Sequence, residues 1–166
     1  AELLRPFSLE KLAYDPFIPA AAMEAIGARP AALEEIFARS DVISLHTAEL
    51  PETEGMIGGE LLGSMKPHAT LVNTARGSVV DEEALCAVLA RRPDLTAVLD
   101  VCRDEPPRAG SPLYHLPNVV LTPHIAGSLG NEVRRMADWM IEEFDAWRSG
   151  RPLRYAVEPS RLGTLA

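Results

Sequence analysis

The sequence of 166 residues lacks several features that mark whole classes of protein. Its two cysteines, Cys86 and Cys102, have neither metal-binding nor redox-motif spacing, so we expect reduced thiols in a cytoplasmic protein. No apolar stretch approaches the roughly 20 residues that a membrane-spanning helix needs, and residues 1–6 lack the pattern of a signal peptide. These absences predict a soluble intracellular protein.

Clusters of lysine or arginine are also absent, and the formal net charge is −8. An acidic chain without a basic patch is a poor partner for nucleic acid or for an anionic membrane surface. Any anionic ligand must therefore be bound by a few individual donors.

No two of the histidines stand at the spacing of a metal site, so no metal is expected. We expect His46 to be structural and His68 and His115 to lie in turns or loops. His124 is the candidate for chemistry, because it follows an apolar run directly.

Apolar runs alternate along the chain with stretches of helical periodicity. The pattern predicts strands at residues 11–14, 41–45, 70–73, 95–101 and 119–121, and helices at 19–26, 30–38, 58–65, 81–90 and 131–147. Asp81 is the expected N-cap of its helix, and Gly27 and Gly150 are expected to end theirs. Residues 97–99 and 119–121 are apolar throughout, which predicts a doubly wound α/β fold with helices on both faces of a parallel sheet.

Polar residues collect directly after the predicted strands. Asp15, Thr47, Arg76 and His124 each follow one of them, and Asp100 lies at the end of another. The carboxyl ends of parallel strands meet at one edge of a sheet, where ligands of such folds bind. The sequence therefore predicts a single ligand site at this edge.

Residues 71–81 place one arginine, Arg76, between an apolar run and Gly77. A planar guanidinium that stays charged at any working pH suits the recognition of a carboxylate. We expect Gly77 to let backbone approach a ligand closely. The alternative is a surface arginine that caps a loop.

Residues 100–106 and 122–127 supply a carboxylate and an imidazole. His124 suits reversible proton transfer because imidazole titrates near neutrality. Glu105 is expected to orient the ring and favour its protonated form, with Asp104 as the rival carboxylate. The alternatives are a histidine bound by loop backbone and a solvated acid.

These three motifs, in this order, resemble those of the D-isomer-specific 2-hydroxyacid dehydrogenases. The resemblance implies a Rossmann-like fold in which Arg76 binds the carboxylate and keto oxygen of a 2-oxo acid, His124 transfers the proton and Glu105 supports it. It implies NAD as cofactor, and usually a homodimer. The cofactor-binding residues that it implies are Asp15, Thr47, Thr74, Ala75, Arg76, Asp100, His124 and Gly127.

Some of these assignments have alternatives in the sequence. Asp15 matches the acid that binds the adenosine ribose and disfavours a 2′-phosphate, but Asp-Pro also starts turns. Residues 46–53 resemble the family's loop over the cofactor, although Ala48 stands where a proline is usual and Glu49 and Leu50 are atypical.

The resemblance covers only the C-terminal part of the family's nucleotide domain, because no glycine precedes Gly27 and the glycine-rich phosphate turn is missing. We expect residues 1–150 to be a partial dinucleotide-binding domain and 151–166 a C-terminal extension. The absent first strand belongs between the strands at 11–14 and 41–45, so we favour a fragment of a longer protein. A strand lent by a neighbouring chain and a different position of the first strand are the other two possibilities.

Two functions follow. The first is NAD-dependent interconversion of a 2-oxo acid and a D-2-hydroxy acid. The second is a noncatalytic remnant or protein-interaction module that keeps the fold of the same family.

Overall fold

The computed structural model describes residues 2–159. Its strands are β1 (Leu12–Ala13), β2 (Arg29–Pro30), β3 (Val42–Leu45), β4 (Thr70–Asn73), β5 (Thr96–Leu99) and β6 (Val119–Leu121). Its α-helices are α1 (Ala20–Ala25), α2 (Leu33–Arg39), α3 (Gly59–Ser64), α4 (Glu82–Arg91) and α5 (Asn131–Arg148). Short 3₁₀ segments, among them Gly77–Val79, lie between them.

The strands form two separate parallel sheets. β1 pairs with β2, and β3, β4, β5 and β6 pair in chain order in a four-stranded sheet. In the larger sheet Ile43, Leu71, Ala97 and Val119 lie side by side, so its carboxyl ends are level. The Rossmann-like parallel α/β architecture is confirmed. β1 does not pair with β3, which agrees with the expected gap between them; whether the chain is a fragment stays a prediction.

One face of the four-stranded sheet carries the core. Its buried residues include Ile43, Leu71 and Ala97, and they cluster with Phe37 of α2, Leu62 of α3 and Leu85 of α4. The strand order follows the chain order, so right-handed crossovers place successive helices on the same face.

The opposite face of this sheet is only partly covered. Val42 is 63% exposed and Val120 is 50% exposed. Of residues 97–99 and 119–121, Ala97 and Leu99 are buried and Val120 is half-exposed, so the described part of the chain covers the second face only in part. Strand apolarity alone does not distinguish a sheet packed on two faces from one packed on one face.

The predicted helix at residues 30–38 begins later, because Pro30 belongs to β2. The amide of Arg29 donates to the Lys11 carbonyl at 2.7 Å, and that of Ala31 donates to Ala13 at 2.9 Å. A proline is tolerated there because the amides on either side of it make the sheet bonds. Leu33 then starts α2.

Most helix ends lie where the sequence predicts them. The side chain of Asp81 accepts from the Ala84 amide at 3.0 Å and caps α4. Gly27 after α1 and Gly150 after α5 have positive φ values of 78° and 66°, which glycine adopts without strain.

The last helix and the segment after it pack on each other. The Arg151 amide donates to the Ala146 carbonyl at 2.9 Å, and Glu143 accepts from the amides of Arg154 and Tyr155. The apolar side chains on the rest of α5 are exposed; they are Val133, Met136, Met140, Ile141, Phe144 and Trp147. Residues 160–166 of the predicted extension lie outside the described residues.

Among residues 2–159, no helix combines the length and apolarity that crossing a membrane demands. Cys86 and Cys102 are both free and half-buried.

Candidate active site

The carboxyl ends of β3, β4, β5 and β6 form one rim, and the predicted site residues follow it closely. Thr47 comes two residues after β3, Arg76 three after β4, Asp100 directly after β5 and His124 three after β6. Asp15 follows β1 in the smaller sheet. The structure therefore places most predicted site residues along one edge.

His124 and Glu105 form a hydrogen-bonded pair. Nδ1 of His124 lies 2.7 Å from Oε2 of Glu105, and Oε1 of Glu105 accepts from the Cys102 amide at 3.3 Å. The rival carboxylate, Asp104, instead pairs with Arg108 at 2.6 Å. Because Glu105 occupies Nδ1, the half-exposed ring keeps Nε2 for a substrate.

The backbone of His124 adopts a conformation that non-glycine residues rarely take, with φ of 51°. Its amide lies 3.0 Å from the carbonyl oxygens of both Asp100 and Thr122. Strain of this kind persists only where the surrounding structure fixes it.

Asp100 fixes the loop that carries His124. It is buried, and its carboxylate accepts from the Thr122 hydroxyl at 2.5 Å and from the amides of Ile125 and Ala126 at 2.9 and 2.8 Å. Burial raises the pKa of this carboxyl, but these hydrogen bonds and the nearby His124 ring outweigh it, so the pKa is lowered. Its implied contact with nicotinamide stays a prediction.

A buried asparagine shapes the turn that presents Arg76. Asn73 is 1% exposed; its Oδ1 accepts from the Ala75 amide and its Nδ2 donates to the Arg76 carbonyl, both at 3.0 Å. The guanidinium of Arg76 reaches solvent at the rim, with its side chain 44% exposed. Its Nη1 donates to the Ala75 carbonyl at 2.7 Å, and its Nε lies 3.8 Å from Oε2 of Glu49.

Gly77 joins the arginine turn to the Glu105 loop. A methyl group at Gly77 would lie 2.0 Å from the carbonyl carbon and oxygen of Cys102 and 2.5 Å from the Arg103 nitrogen. A glycine is therefore required here by the chain's own backbone, and the expected approach of a ligand to Gly77 stays a prediction. Since the Cys102 amide also binds Glu105, Arg76 and the histidine pair are linked through adjacent contacts.

Sequence reasoning missed three contributors to the site: Asn73, Thr122 and Glu49. An asparagine before a run of small residues indicates a side-chain-stabilised turn, and that signal was available for Asn73. Thr122 shows its role only once β5 and β6 are paired. Glu49 was visible only as an atypical residue.

Comparison with known proteins gives the same family by sequence and by structure. The sequence model of the D-isomer specific 2-hydroxyacid dehydrogenase NAD binding domain matches residues 1–126. The chain belongs to this family. The D-3-phosphoglycerate dehydrogenase of Archaeoglobus fulgidus is 37% identical over 157 residues, 95% of this chain and 30% of that protein.

Solved structures of dehydrogenases superpose on most of the chain. D-lactate dehydrogenase with NAD+ from Lactobacillus jensenii gives a TM-score of 0.82 at 29% identity, covering 95% of this chain and 51% of that one. A D-isomer specific 2-hydroxyacid dehydrogenase from Xanthobacter autotrophicus Py2, in complex with NADPH and MES, gives 0.67 at 35% identity over 78% of this chain and 41% of that one. The chain spans 30% of the length of the Archaeoglobus relative.

The family match confirms NAD as the predicted cofactor class. Two of the residues implied in cofactor binding are accessible: Thr74 is exposed, and a methyl group added at Gly127 would meet open space. Oδ1 of Asp15 accepts from the Phe17 amide at 2.8 Å, so Asp15 forms the turn that the sequence offered as the alternative to ribose binding. The NADPH complex of one relative leaves the preference for NAD over NADP a prediction.

The remaining histidines have local roles. Nε2 of His46 lies 2.9 Å from the Ser44 hydroxyl, and His68 has φ of 64° in the turn before β4. Within residues 2–159 no cluster of histidine, cysteine and acidic side chains could hold a metal ion.

Proposed function

We propose that this protein is an NAD-dependent oxidoreductase that interconverts a 2-oxo acid and a D-2-hydroxy acid. The observation that carries the proposal is the 2.7 Å contact between His124 and Glu105, on the same rim as the exposed guanidinium of Arg76. A base oriented by a carboxylate, beside a cation that suits a substrate carboxylate, is the arrangement that this chemistry needs.

Arg76 binds and orients the substrate. Its guanidinium forms two hydrogen bonds to a carboxylate or spans a carboxylate and a keto oxygen, which fixes the C2 carbon relative to the rim. The turn built by Asn73 and the backbone contact of Gly77 hold the base of this side chain, so little has to be ordered when substrate binds.

His124 moves the proton. In reduction, Nε2 of His124 donates a proton to the carbonyl oxygen while hydride adds to C2, and in oxidation the ring takes the hydroxyl proton back. Glu105 holds Nδ1, fixes the tautomer and stabilises the charged ring. When bound, NADH supplies the hydride and NAD+ accepts it.

The cofactor is proposed to bind along the rim. Thr47, Thr74, Ala75, Asp100 and Gly127 are assigned to its nicotinamide end together with Arg76 and His124, and Asp15 to the adenosine ribose. An acid beside the ribose repels a 2′-phosphate, so we assign NAD rather than NADP.

We also propose the coarser organisation that the sequence suggests. Residues 1–150 are assigned to a partial dinucleotide-binding domain and 151–166 to a C-terminal extension. The protein is proposed to be a homodimer, and the exposed apolar side chains of α5 support this. Its proposed location is the cytoplasm.

A second candidate is a noncatalytic module of the same family. The first candidate predicts a rate of NADH oxidation that depends on Arg76 and His124, and the second predicts no such rate.

The test is NADH oxidation by the full protein with glyoxylate, hydroxypyruvate and pyruvate. We expect Arg76→Ala and His124→Ala each to abolish the rate. The matched controls, Arg134→Ala and His115→Ala, change exposed residues of the same types and should keep it. A rate that survives both site substitutions would refute the assigned roles, and no rate in the unaltered protein would favour the noncatalytic module.

A further inference from the structure

An acidic side chain lies beside the arginine that is proposed to bind substrate. Oε2 of Glu49 is 3.8 Å from Nε of Arg76, and Oε1 of Glu49 accepts from the Ser78 hydroxyl at 2.7 Å. Ser78 stands two residues after Arg76, so both ends of this contact belong to the same short segment. The carboxylate is therefore anchored at the edge of the guanidinium.

The loop that carries Glu49 is held in place. The Thr53 hydroxyl accepts from the Leu50 amide at 2.9 Å and donates to the Ala48 carbonyl at 2.7 Å. Just beyond this loop, the Gly55 amide donates to the Ser78 carbonyl at 2.8 Å. Glu49 thus has a fixed backbone and a side chain bound to Ser78, although 58% of that side chain is exposed.

The contacts of Arg76 leave one edge of its guanidinium for a ligand. Nη1 donates one hydrogen bond to the Ala75 carbonyl, and Nε faces Glu49. A substrate carboxylate is then bound by Nη2 and the second proton of Nη1, with the Glu49 carboxylate beside it. Neighbouring cations are engaged elsewhere: Arg103 pairs with Glu54 at 2.9 Å, and Arg108 pairs with Asp104.

We propose that Glu49 is a specificity-determining residue that restricts the substrate to 2-oxo acids with a single negative charge. The inference rests on the proposed function and names its substrate class. The charge of Arg76 suffices for one substrate carboxylate next to Glu49. A second anionic group, such as a phosphate or another carboxylate, is repelled by Glu49 and meets a cation that is already paired.

The experiment compares kcat/KM for hydroxypyruvate and 3-phosphohydroxypyruvate in the full protein and in Glu49→Gln. We expect the unaltered protein to prefer hydroxypyruvate. Glu49→Gln should raise kcat/KM for the phosphorylated substrate on the order of tenfold more than for hydroxypyruvate, mainly through KM, because it removes a like charge. The gap between the two substrates should narrow at high salt.

Two variants separate charge from other effects. Glu49→Asp keeps the negative charge and should keep most of the preference. Glu52→Gln makes the same charge change at an exposed residue of the same loop and should leave the ratio unchanged. Equal effects of Glu49→Gln on both substrates would mean that Glu49 only positions Arg76, and would overturn the proposal.

A binding measurement keeps this test separate from the proposed function. Calorimetric titration with oxamate, which carries one charge, and oxalate, which carries two, needs no turnover. Glu49→Gln should tighten oxalate binding more than oxamate binding. A protein that reduces 2-oxo acids but shows no such change refutes the role of Glu49 alone, whereas an inactive protein that shows it refutes only the enzymatic assignment. An unaltered protein that binds neither anion refutes the role of Glu49 as well.

Discussion

Nδ1 of His124 lies 2.7 Å from Oε2 of Glu105, and the two side chains come from loops that follow neighbouring strands, β6 and β5. They stand 19 positions apart in the chain. The pairing of two parallel strands therefore brings together an imidazole and the carboxylate that orients it. The Cys102 amide holds the other oxygen of Glu105, so the pair is supported on both sides.

Glu105→Gln should lower kcat on the order of 10- to 100-fold and leave KM nearly unchanged. The amide keeps the shape of the side chain but no longer stabilises the charged ring, while Arg76 still binds the substrate. Steady-state kinetics with hydroxypyruvate measure the effect. Asp104→Asn, which alters the neighbouring carboxylate, should leave kcat unchanged, and a comparable loss there would contradict the assignment of Glu105.

Gly77→Ala should destabilise the protein by about 3 kcal/mol or more, since a methyl group cannot fit 2.0 Å from the Cys102 backbone. Gly63→Ala is the matched control: it lies in α3 with no atom within 4 Å of the added methyl group, and it should stabilise by about 0.5–1 kcal/mol. Chemical denaturation measures both. Equal stability of the two variants would refute the close contact.

Asp100→Asn should lower the free energy of unfolding by about 1–3 kcal/mol at pH 7, because the amide cannot accept all the hydrogen bonds from the His124 loop. The pKa of Asp100 is lowered in the folded protein, so the ionised carboxylate stabilises the fold above its unfolded pKa. This contribution is lost as the pH falls through the folded pKa.

The difference between the unaltered protein and Asp100→Asn should therefore shrink in denaturation experiments below about pH 4. Asp138→Asn, at an exposed position of α5, serves as control and should change stability little at either pH. A difference that grows toward low pH would contradict the direction of the pKa shift.

Cys102 should react slowly with thiol reagents. Burial, and then the charges of Glu82, Glu105 and Cys86, raise the pKa of its thiol to about 11. At pH 8 roughly one molecule in a thousand then carries the reactive thiolate. In a Cys86→Ser background, Glu82→Gln should accelerate modification by Ellman's reagent and the exposed Glu83→Gln should do so less. Rapid modification of the unaltered thiol would contradict the raised pKa.

Much of the fold could be predicted from the sequence because the residues that begin and end its helices act locally. Asp81 caps α4 and Gly27 and Gly150 end their helices through interactions within one turn. The start of the helix predicted at residues 30–38 was wrong, because Pro30 belongs to a short strand whose sheet hydrogen bonds are made by the residues on either side of it. The partial cover of the second face of the larger sheet could not be predicted, since it follows from the order of the strands in space.

The candidate site divides in the same way. Arg76, Glu105 and His124 were predicted by residue type and by their place after strands, and their catalytic roles stay predictions. The supporting residues were not predicted. Thr122 contacts Asp100 from the neighbouring strand, and Glu49 contacts Arg76 and Ser78, the latter 29 positions later in the chain. Such contacts depend on tertiary structure and leave no periodic signal.

The most direct test of the central claim follows deuterium from the cofactor. The full protein is incubated with hydroxypyruvate and NADH that carries deuterium at both positions of nicotinamide C4, and the product is analysed by mass spectrometry and chiral chromatography. Our account predicts D-glycerate with one deuterium at C2, and no product from His124→Ala. Glycerate without deuterium at C2, or equal product from the His124 variant, would contradict it.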